Sequence, residues 1–302
     1  MVKQEVLAAL DAARGRYISG QELAAQLDVS RTAVWKAVAA LRRDGIPIKA
    51  VTNRGYTLAQ SVDVLNAAAV AAQLDEATVK ALQIEVVDRL PGTNAALRSR
   101  ADAGAREGLV LIAQAQSAGR GRGGHSFYSP PGGLYMSILL RPEIGARQAV
   151  GLTAMAAVAA ARAAERLCGV PITIKWVNDL YLDGKKLCGI LTEMSADMDQ
   201  IHYVIVGIGI NVQMTDFPKE IQNTATSLKL VTGKTLLRNE LLAKVLEEFE
   251  VLYEQFVSAE SLKNLKAEYE SRLANKDNRV NVLAPSGAWQ GICLGIKEDG
   301  AL

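Results

Sequence analysis

Between residues 4 and 44 the apolar side chains recur at helical spacing in three short runs, predicting helices over 4–13, 20–27 and 31–44. Asp28-Val29-Ser30 reads as a turn, with Ser30 placed to cap the third helix. On that helix Ala33, Val34, Ala37, Val38 and Leu41 share one face, which leaves Arg31, Thr32, Trp35, Lys36, Arg42 and Arg43 outward. This is the order of a helix-turn-helix whose last helix points its N-terminal residues at base edges. After Gly45 the pattern shortens, and 46–58 reads as two strands turning near Asn53-Arg54-Gly55, a basic wing. The expected DNA contacts are Ser30, Arg31, Thr32, Trp35, Lys36, Asn53 and Arg54. A small helical interaction domain is the alternative.

Beyond a helix expected over 62–74, strands and helices mix. Strands are predicted over 83–90, 109–116 and 134–140, a helix over 93–103, and an alanine-rich helix over 147–167. Four strand-like runs follow at 172–176, 180–182, 186–194 and 202–212, with a hairpin turn at Asp183-Gly184. Strands joined by hairpins predict an α+β body, a mixed sheet with helices on one side. Helices over 238–256 and 261–273 close it. From Asn278 onward, 279–283 and 288–296 read as the meander of a small β-barrel that stops short at Asp299-Gly300-Ala301-Leu302. The expected domains are 1–60, 61–275 and 276–302.

Composition adds bounds rather than a function. With 302 residues, 49% of them hydrophobic, the chain can bury a substantial core. Its start lacks the marks of a signal peptide, and the apolar run 150–161 is too short to span a bilayer before Arg162 and Glu165 interrupt it. A cytoplasmic protein without membrane attachment is expected. Cys168, Cys188 and Cys293 have no zinc or disulfide spacing and read as buried thiols. Residues 1–60 carry nine Lys/Arg against five Asp/Glu, a net +4, whereas the remainder has 25 against 27, a net −2. A basic head on a faintly acidic body points weakly to nucleic acid.

Candidate chemistry sits in the body. Residues 119–125 hold four glycines and two arginines, a loop costly to order but suited to wrapping an anion. Gly119-x-Gly121-x-x-Gly124 matches a dinucleotide fingerprint only formally. That fingerprint opens a helix, and Pro130-Pro131-Gly132-Gly133 follows here. Gly233-Lys234-Thr235 fails as a phosphate loop because Leu228 stands where its first glycine belongs. His125 and His202 lack partners at metal-ligand spacing, so no protein-built metal site and no Ser-His-Asp triad is expected. What remains is Gln116, the loop, Lys175, Asn178, Asp179, Lys186 and Asn211. Cations set between apolar strands suit the joining of a carboxylate to a nucleotide phosphate, where two anions must be brought together. A mobile arginine loop can then shield the mixed anhydride from water.

Gly119 to Pro130 with Gly132, Lys175-Trp176-Val177-Asn178-Asp179, 186–191 and 207–212 resemble, in order and spacing, the signature blocks of biotin protein ligases. With the winged helix in front, nearly the whole chain is similar to the bifunctional biotin protein ligase and biotin-operon repressor family. The resemblance implies a class II synthetase-like central sheet and an SH3-like C-terminal barrel. It implies that biotin and ATP, with Mg2+, give biotinyl-5′-adenylate. The biotinyl group then passes to a lysine of the biotin carboxyl carrier domain of acetyl-CoA or pyruvate carboxylase. It also implies operator DNA and a ligand-linked homodimer. Gly92-Thr93-Asn94 resembles the family's Ser-Thr-Asn biotin segment; Gln116, Gly119, Arg120, Gly121 and Arg122 its loop contacts; Lys186 the lysine meeting carboxylate and phosphate. Lys186, Arg122 and Arg120 are then the catalytic cations. Asn178 and Asn211 should line the nucleotide side, Gly189 lies in the same blocks, and Lys175 and Asp179 orient the nucleotide or act through magnesium. Departures are Gly92 for serine, Gly123 and His125 for arginine, Phe127 for tryptophan and Val177 for proline. A non-catalytic sensor of biotin or its adenylate, and a lipoate-type ligase, are the alternatives.

Overall fold

The computed structural model describes residues 2–197, 200–284 and 287–302. The head is α1 (Val2–Ala12), α2 (Gly20–Gln26) and α3 (Arg31–Arg43), followed by the hairpin β1 (Ile48–Val51) and β2 (Gly55–Leu58). Serines start two of these helices: Ser19 Oγ accepts from Glu22 N at 3.0 Å and Ser30 Oγ from Ala33 N at 3.1 Å. Val34, Ala37, Val38 and Leu41 of α3 are buried against Val6, Leu10, Leu23 and Ile48, while Ala33 is half-buried. Gly55 is required where it stands. Its φ is +96°, and a Cβ there would lie 2.1 Å from the Ile18 carbonyl oxygen, to which the wing is pressed.

The helix expected over 62–74 is confined to a single short helix, and a second, unexpected one follows it, each started by a capping side chain. Asn66 Oδ1 accepts from Ala69 N at 2.9 Å to start α4 (Ala67–Ala71), and Asp75 Oδ1 accepts from Thr78 N at 2.8 Å to start α5 (Glu76–Ala81). Next come β3 (Gln83–Leu90), α6 (Thr93–Asp102), β4 (Leu109–Gln116), the glycine loop and β5 (Leu134–Leu140). The alanine-rich helix is two, α7 (Ala146–Ala149) and α8 (Leu152–Cys168). They part at Gly151, where a Cβ would come within 2.8 Å of the Phe256 ring. Then follow β6 (Thr173–Lys175), β7 (Asp179–Leu182), β8 (Lys185–Ala196), β9 (Ile201–Ile210), α9 (Leu228–Thr232) and α10 (Arg238–Ala259). The expected helix over 261–273 is confined to α11 (Lys266–Arg272), with turns before it. The last elements are β10 (Arg279–Ala284) and β11 (Gly287–Ile292). Among the described residues they form a two-stranded hairpin, not a closed barrel.

The seven-stranded sheet runs β3-β4-β5-β9-β8-β7-β6, with β3 and β4 parallel and every other pair antiparallel. Strand alternation sends Val110, Ile112, Met136, Ile138, Val206 and Ile208 to one face, under α8 and α10. Alanines 156, 157, 159–161, 163 and 164 of α8 are wholly buried, and their small size lets it lie close to its neighbours. Leu111, Leu139 and Ile205 point the other way, onto Leu97 and Ala101 of α6. Thus the long helices share one face, and the short α6 covers only part of the other, leaving a stretch of that face for a site. No helix among the described residues is long and apolar enough to cross a membrane.

One carboxyl is held at a cost. Burial, then Glu254, Glu107 and Asp75, push Glu250 on α10 from the ordinary 4.5 up to about 7. The folded state then binds a proton more tightly than the unfolded chain. This group therefore subtracts nothing below about pH 4.5, and its full penalty is present above about pH 7. Glu250→Gln should accordingly stabilise the protein at pH 8 by about 1 kcal/mol, after discounting for solvent screening. At pH 4.5 the gain should vanish. Urea unfolding at the two pH values checks both sign and window.

Candidate active site

The glycine loop leaves β4 at Gln116 and folds back on itself. Phe127 N donates to Gly119 O at 2.8 Å, Gly121 N to His125 O at 2.7 Å and Gln116 N to Ser129 O at 3.0 Å. Gly119 is buried in this crossing: a Cβ would sit 2.5 Å from Phe127 O, so the glycine serves close approach and does not line the cavity. Arg120 and Arg122 stand exposed at the rim, and among the described residues neither has an ion-pair partner.

Behind the rim lies a cavity of about 770 Å³, within the range of small-molecule sites. Its walls bring together Gly92, Thr93 and Asn94 from the start of α6, Gln116, the two arginines with Gly121, Asn178 from the turn before β7, and Asp179, Lys186 and Gly189 from β7 and β8. Thr93 N and Oγ1 donate to Gln116 Oε1 at 2.8 and 3.2 Å, and Gln116 Nε2 donates to Ser129 Oγ at 2.9 Å. The side chain of Asn94 is already engaged. Its Nδ2 donates to Leu191 O at 3.1 Å and Glu193 Oε2 at 2.9 Å, and its Oδ1 lies 2.6 Å from Ser137 Oγ. Asn94 therefore pins α6 to β5 and β8. Gly207 must lack a side chain because its Cβ would fall 2.1 Å from that same Oδ1. The Phe127 ring lies over Gly189 and Gly209, whose added Cβ atoms would come within 3.0 and 2.6 Å of it.

Lys186 Nζ stands 2.7 Å from Asp179 Oδ1 and 5.9 Å from the centre of the Phe127 ring. The ion pair lies off the hydrogen-bonding angle, since Asp179 Oδ1 is buried with no hydrogen-bond donor. The lysine backbone is fixed from both sides, its N–H donating to Thr224 O at 2.7 Å and its carbonyl accepting from Thr226 N at 2.9 Å. Asn178 ties the 176–178 turn to β8 by Nδ2 to Ile190 O, 2.9 Å. Beside the pair, burial pushes the Cys188 thiol up, with the Asp179 charge adding to it, so the thiol stays protonated and inert.

Two expected members lie elsewhere. Lys175 on the edge strand β6 is exposed, its Nζ 5.5 Å from the Tyr181 ring centre. Asn211 is buried behind the wall and spends its Nδ2 on Thr226 O at 2.9 Å. Arg98 and Glu193 line the cavity and pair with one another, and sequence reasoning passed over both. The available signals were a position one turn after Asn94 for Arg98 and an acid inside an apolar strand for Glu193. Among the described residues no cluster of three or more His, Cys, Asp or Glu could hold a metal.

The head presents a second surface. A cleft between α3 and the wing is lined by Arg31, Thr32, Trp35, Val51 and Asn53. Lys36 is exposed beside it, and Arg54 lies 4.4 Å over the Tyr17 ring. Ser30 uses its hydroxyl as the helix cap.

A winged helix-turn-helix in front of a mixed sheet with a cation-lined cavity defines a class, that of an enzyme of anionic substrates with a DNA-binding head. Comparisons with known proteins narrow it. Residues 86–211 match the model of the biotin/lipoate A/B protein ligase family, and residues 2–57 match an HTH domain. The chain is 34% identical over 304 residues to the bifunctional ligase/repressor BirA of Bacillus subtilis, covering 100% of this chain and 93% of that protein. It is 33% identical to the protein of the same name from Escherichia coli K12, over 96% of this chain and 88% of the relative. The biotin protein ligase of Aquifex aeolicus, solved in complex with biotin and ATP, superimposes with a TM-score of 0.62 at 32% identity, covering 72% of this chain and 88% of that one. The chain belongs to the biotin protein ligase family, in the branch of bifunctional ligase/repressors.

Proposed function

We propose that this cytoplasmic protein makes biotinyl-5′-AMP from biotin and ATP in the cavity behind the glycine loop. It then transfers biotin to a lysine of the biotin carboxyl carrier domain of acetyl-CoA or pyruvate carboxylase. The observation that carries this is Lys186, clamped by its backbone and placed among Asp179, Phe127 and the arginine rim. In the first step a carboxylate oxygen of biotin attacks the α-phosphorus of ATP and the bond to pyrophosphate breaks. In the second the lysine amine attacks the acyl carbonyl, AMP leaves, and the amine gives up a proton. Lys186 offsets the charge of both reacting anions, and Arg120 and Arg122 close over the adenylate. Thr93 and Gln116 meet the biotin ring, and Asn178 lies on the nucleotide side. Asn94 acts by holding α6 in place.

For Mg2+ the described residues offer no cage, and Asp179, the acid nearest Lys186, already faces that cation. Mg2+ would be held by the phosphates of ATP, where it would offset part of their negative charge. The head acts as a biotin-responsive repressor on operator DNA through a ligand-linked homodimer, with domains at 1–60, 61–275 and 276–302. Biotin-dependent release of pyrophosphate from ATP, with labelling of a carrier domain, tests the ligase reading. Operator binding with and without biotin and MgATP tests the repressor reading.

Gly92 gives a smaller test. An added Cβ would meet Ala118 O at 3.7 Å and Gln116 Oε1 at 3.9 Å, ordinary contacts, and its φ of −168° is open to any residue. Gly92→Ser should fold normally and cap α6 for a few tenths of a kcal/mol. Its hydroxyl restores a donor towards the biotin ring. Biotin affinity by calorimetry should rise about two- to tenfold, the worth of one neutral hydrogen bond.

A further inference from the structure

Every other large apolar side chain of α3 is buried in the head, but Trp35 is 62% exposed. It stands one turn beyond Arg31, beside Thr32 and Lys36, and faces the wing across the cleft. Val51, 40% exposed, lines the same cleft, so Trp35 and Val51 give it an apolar patch among polar residues. Its surroundings are cationic. Arg31, Lys36, Lys49 and Arg54 are arrayed on α3 and the wing, and among the described residues none has an ion-pair partner. The head's ion pairs lie elsewhere, at Lys3–Asp44, Arg14–Asp11 and Arg16–Glu22.

An occupant of this cleft must be anionic at its edges and must offer an apolar group to Trp35 near the start of α3. Duplex DNA meets both demands in one place. Its phosphates flank the major groove, and the 5-methyl of thymine is the apolar group displayed on the base edges there. An indole is too large and too weak a hydrogen-bonding group to pair a base edge, but it can cover a methyl. We propose that Trp35 reads thymine, packing its ring on the 5-methyl group in the major groove, while Arg31 and Thr32 take adjacent base edges. This rests on the DNA-binding reading of the head, and it assigns a specificity determinant within it. Arg54 and Lys49 supply phosphate contacts from the wing, which position the helix without reading sequence.

The test uses the full chain with biotin and MgATP, and a duplex enriched by it from a randomised pool. Each thymine is replaced in turn by deoxyuridine, which removes only the methyl. Uracil at one position in each half-site should weaken binding by about three- to fivefold, from the transfer free energy of one methyl. Trp35→Ala should bind the thymine and uracil duplexes alike while keeping the wild-type salt slope, because the phosphate contacts are untouched. Trp35→Phe, the safer variant for folding, should retain part of the discrimination. Wild-type binding that ignores uracil at every position overturns the proposal and leaves the DNA reading standing, as does Trp35→Ala that still tells thymine from uracil. If no duplex is enriched, the DNA reading fails and the proposal with it, leaving the cleft to an acidic protein partner.

Discussion

Lys186→Ala lowers adenylate formation by at least about a hundredfold, and this is the largest functional loss expected of a single substitution. Each tenfold is about 1.4 kcal/mol, so the estimate asks Lys186 for about 2.7 kcal/mol. That is the lower end of what one oxyanion donor contributes in other enzymes, about 2.7–4 kcal/mol. Lys186 opposes two reacting anions from a rigid place, since its backbone is hydrogen-bonded on both sides to 224–226. It is half-buried, so water screens its charge only in part. Removing it also leaves the buried Asp179 Oδ1 without its cation. Activity must therefore be read beside a melting curve. The expected result is a pyrophosphate-release rate down a hundredfold in protein that still melts cooperatively. Lys186→Arg, which keeps the charge, should recover part of the rate, and Asp179→Asn should lose less than Lys186→Ala. A wild-type rate in Lys186→Ala removes the lysine from the chemistry.

Strands β3, β4 and β5 were legible to the residue because Gly, Pro and acidic turns punctuate their apolar runs. Helical spacing was less decisive where a side chain could cap the backbone from within. Asn66 and Asp75 each seize an N–H three residues on, so the run 62–74 shrinks to Ala67–Ala71 and a separate helix starts at Glu76. At the break, Gly151 is held to glycine by a contact the sequence does not show, with Phe256 a hundred residues away. The candidate site divides along the same line. Residues in the glycine loop and in the 186–191 block sit at strand ends, where sequence neighbours stay spatial neighbours. Lys175 is lost because the chain reverses at 176–178, and alternation on β6 buries Ile174 and exposes the lysine. Asn94 looked like a ligand contact because it follows Thr93, yet its amide is consumed by Leu191, Glu193 and Ser137, residues the sequence places far away. The boundary at residue 60 was read from the end of the helix-turn-helix and wing pattern. Across it Asn239 Nδ2 donates to Asp11 Oδ2 at 3.0 Å and Asn66 Nδ2 donates to Gln4, so head and body share buried polar groups.

Arg238→Met should cost about 3–5 kcal/mol of stability, the usual penalty for stripping a buried charge of its partner. Its side chain is 7% exposed and that of Asp63 11%. Three of its donors are used: Nε donates to Asp63 Oδ2 at 2.6 Å, and Nη1 donates to Gln114 Oε1 and Gly133 O, each at 3.1 Å. Methionine fills the volume but abandons all three acceptors, leaving the Asp63 carboxylate with the backbone N–H of residue 238 at 2.9 Å. Against a total of about 5–15 kcal/mol for a folded domain, the loss is large. Lysine in this place keeps a charge without the fork and should recover only part of it. In the Asp63→Asn background no buried carboxylate is left unpaired, so Arg238→Met should cost much less there, and a double-mutant cycle in urea isolates that coupling. A functional loss should accompany the structural one. Gly133 ends the glycine loop, and Gln114 lies two residues before Gln116 on β4, so the same guanidinium anchors both ends of the segment that closes over the adenylate. In Arg238→Lys, assayed at a temperature where it is folded, KM for biotin should therefore rise while Lys186 and its chemistry stay in place. Additive costs in the cycle, or an unchanged KM, would show that Arg238 neither balances Asp63 nor anchors the loop.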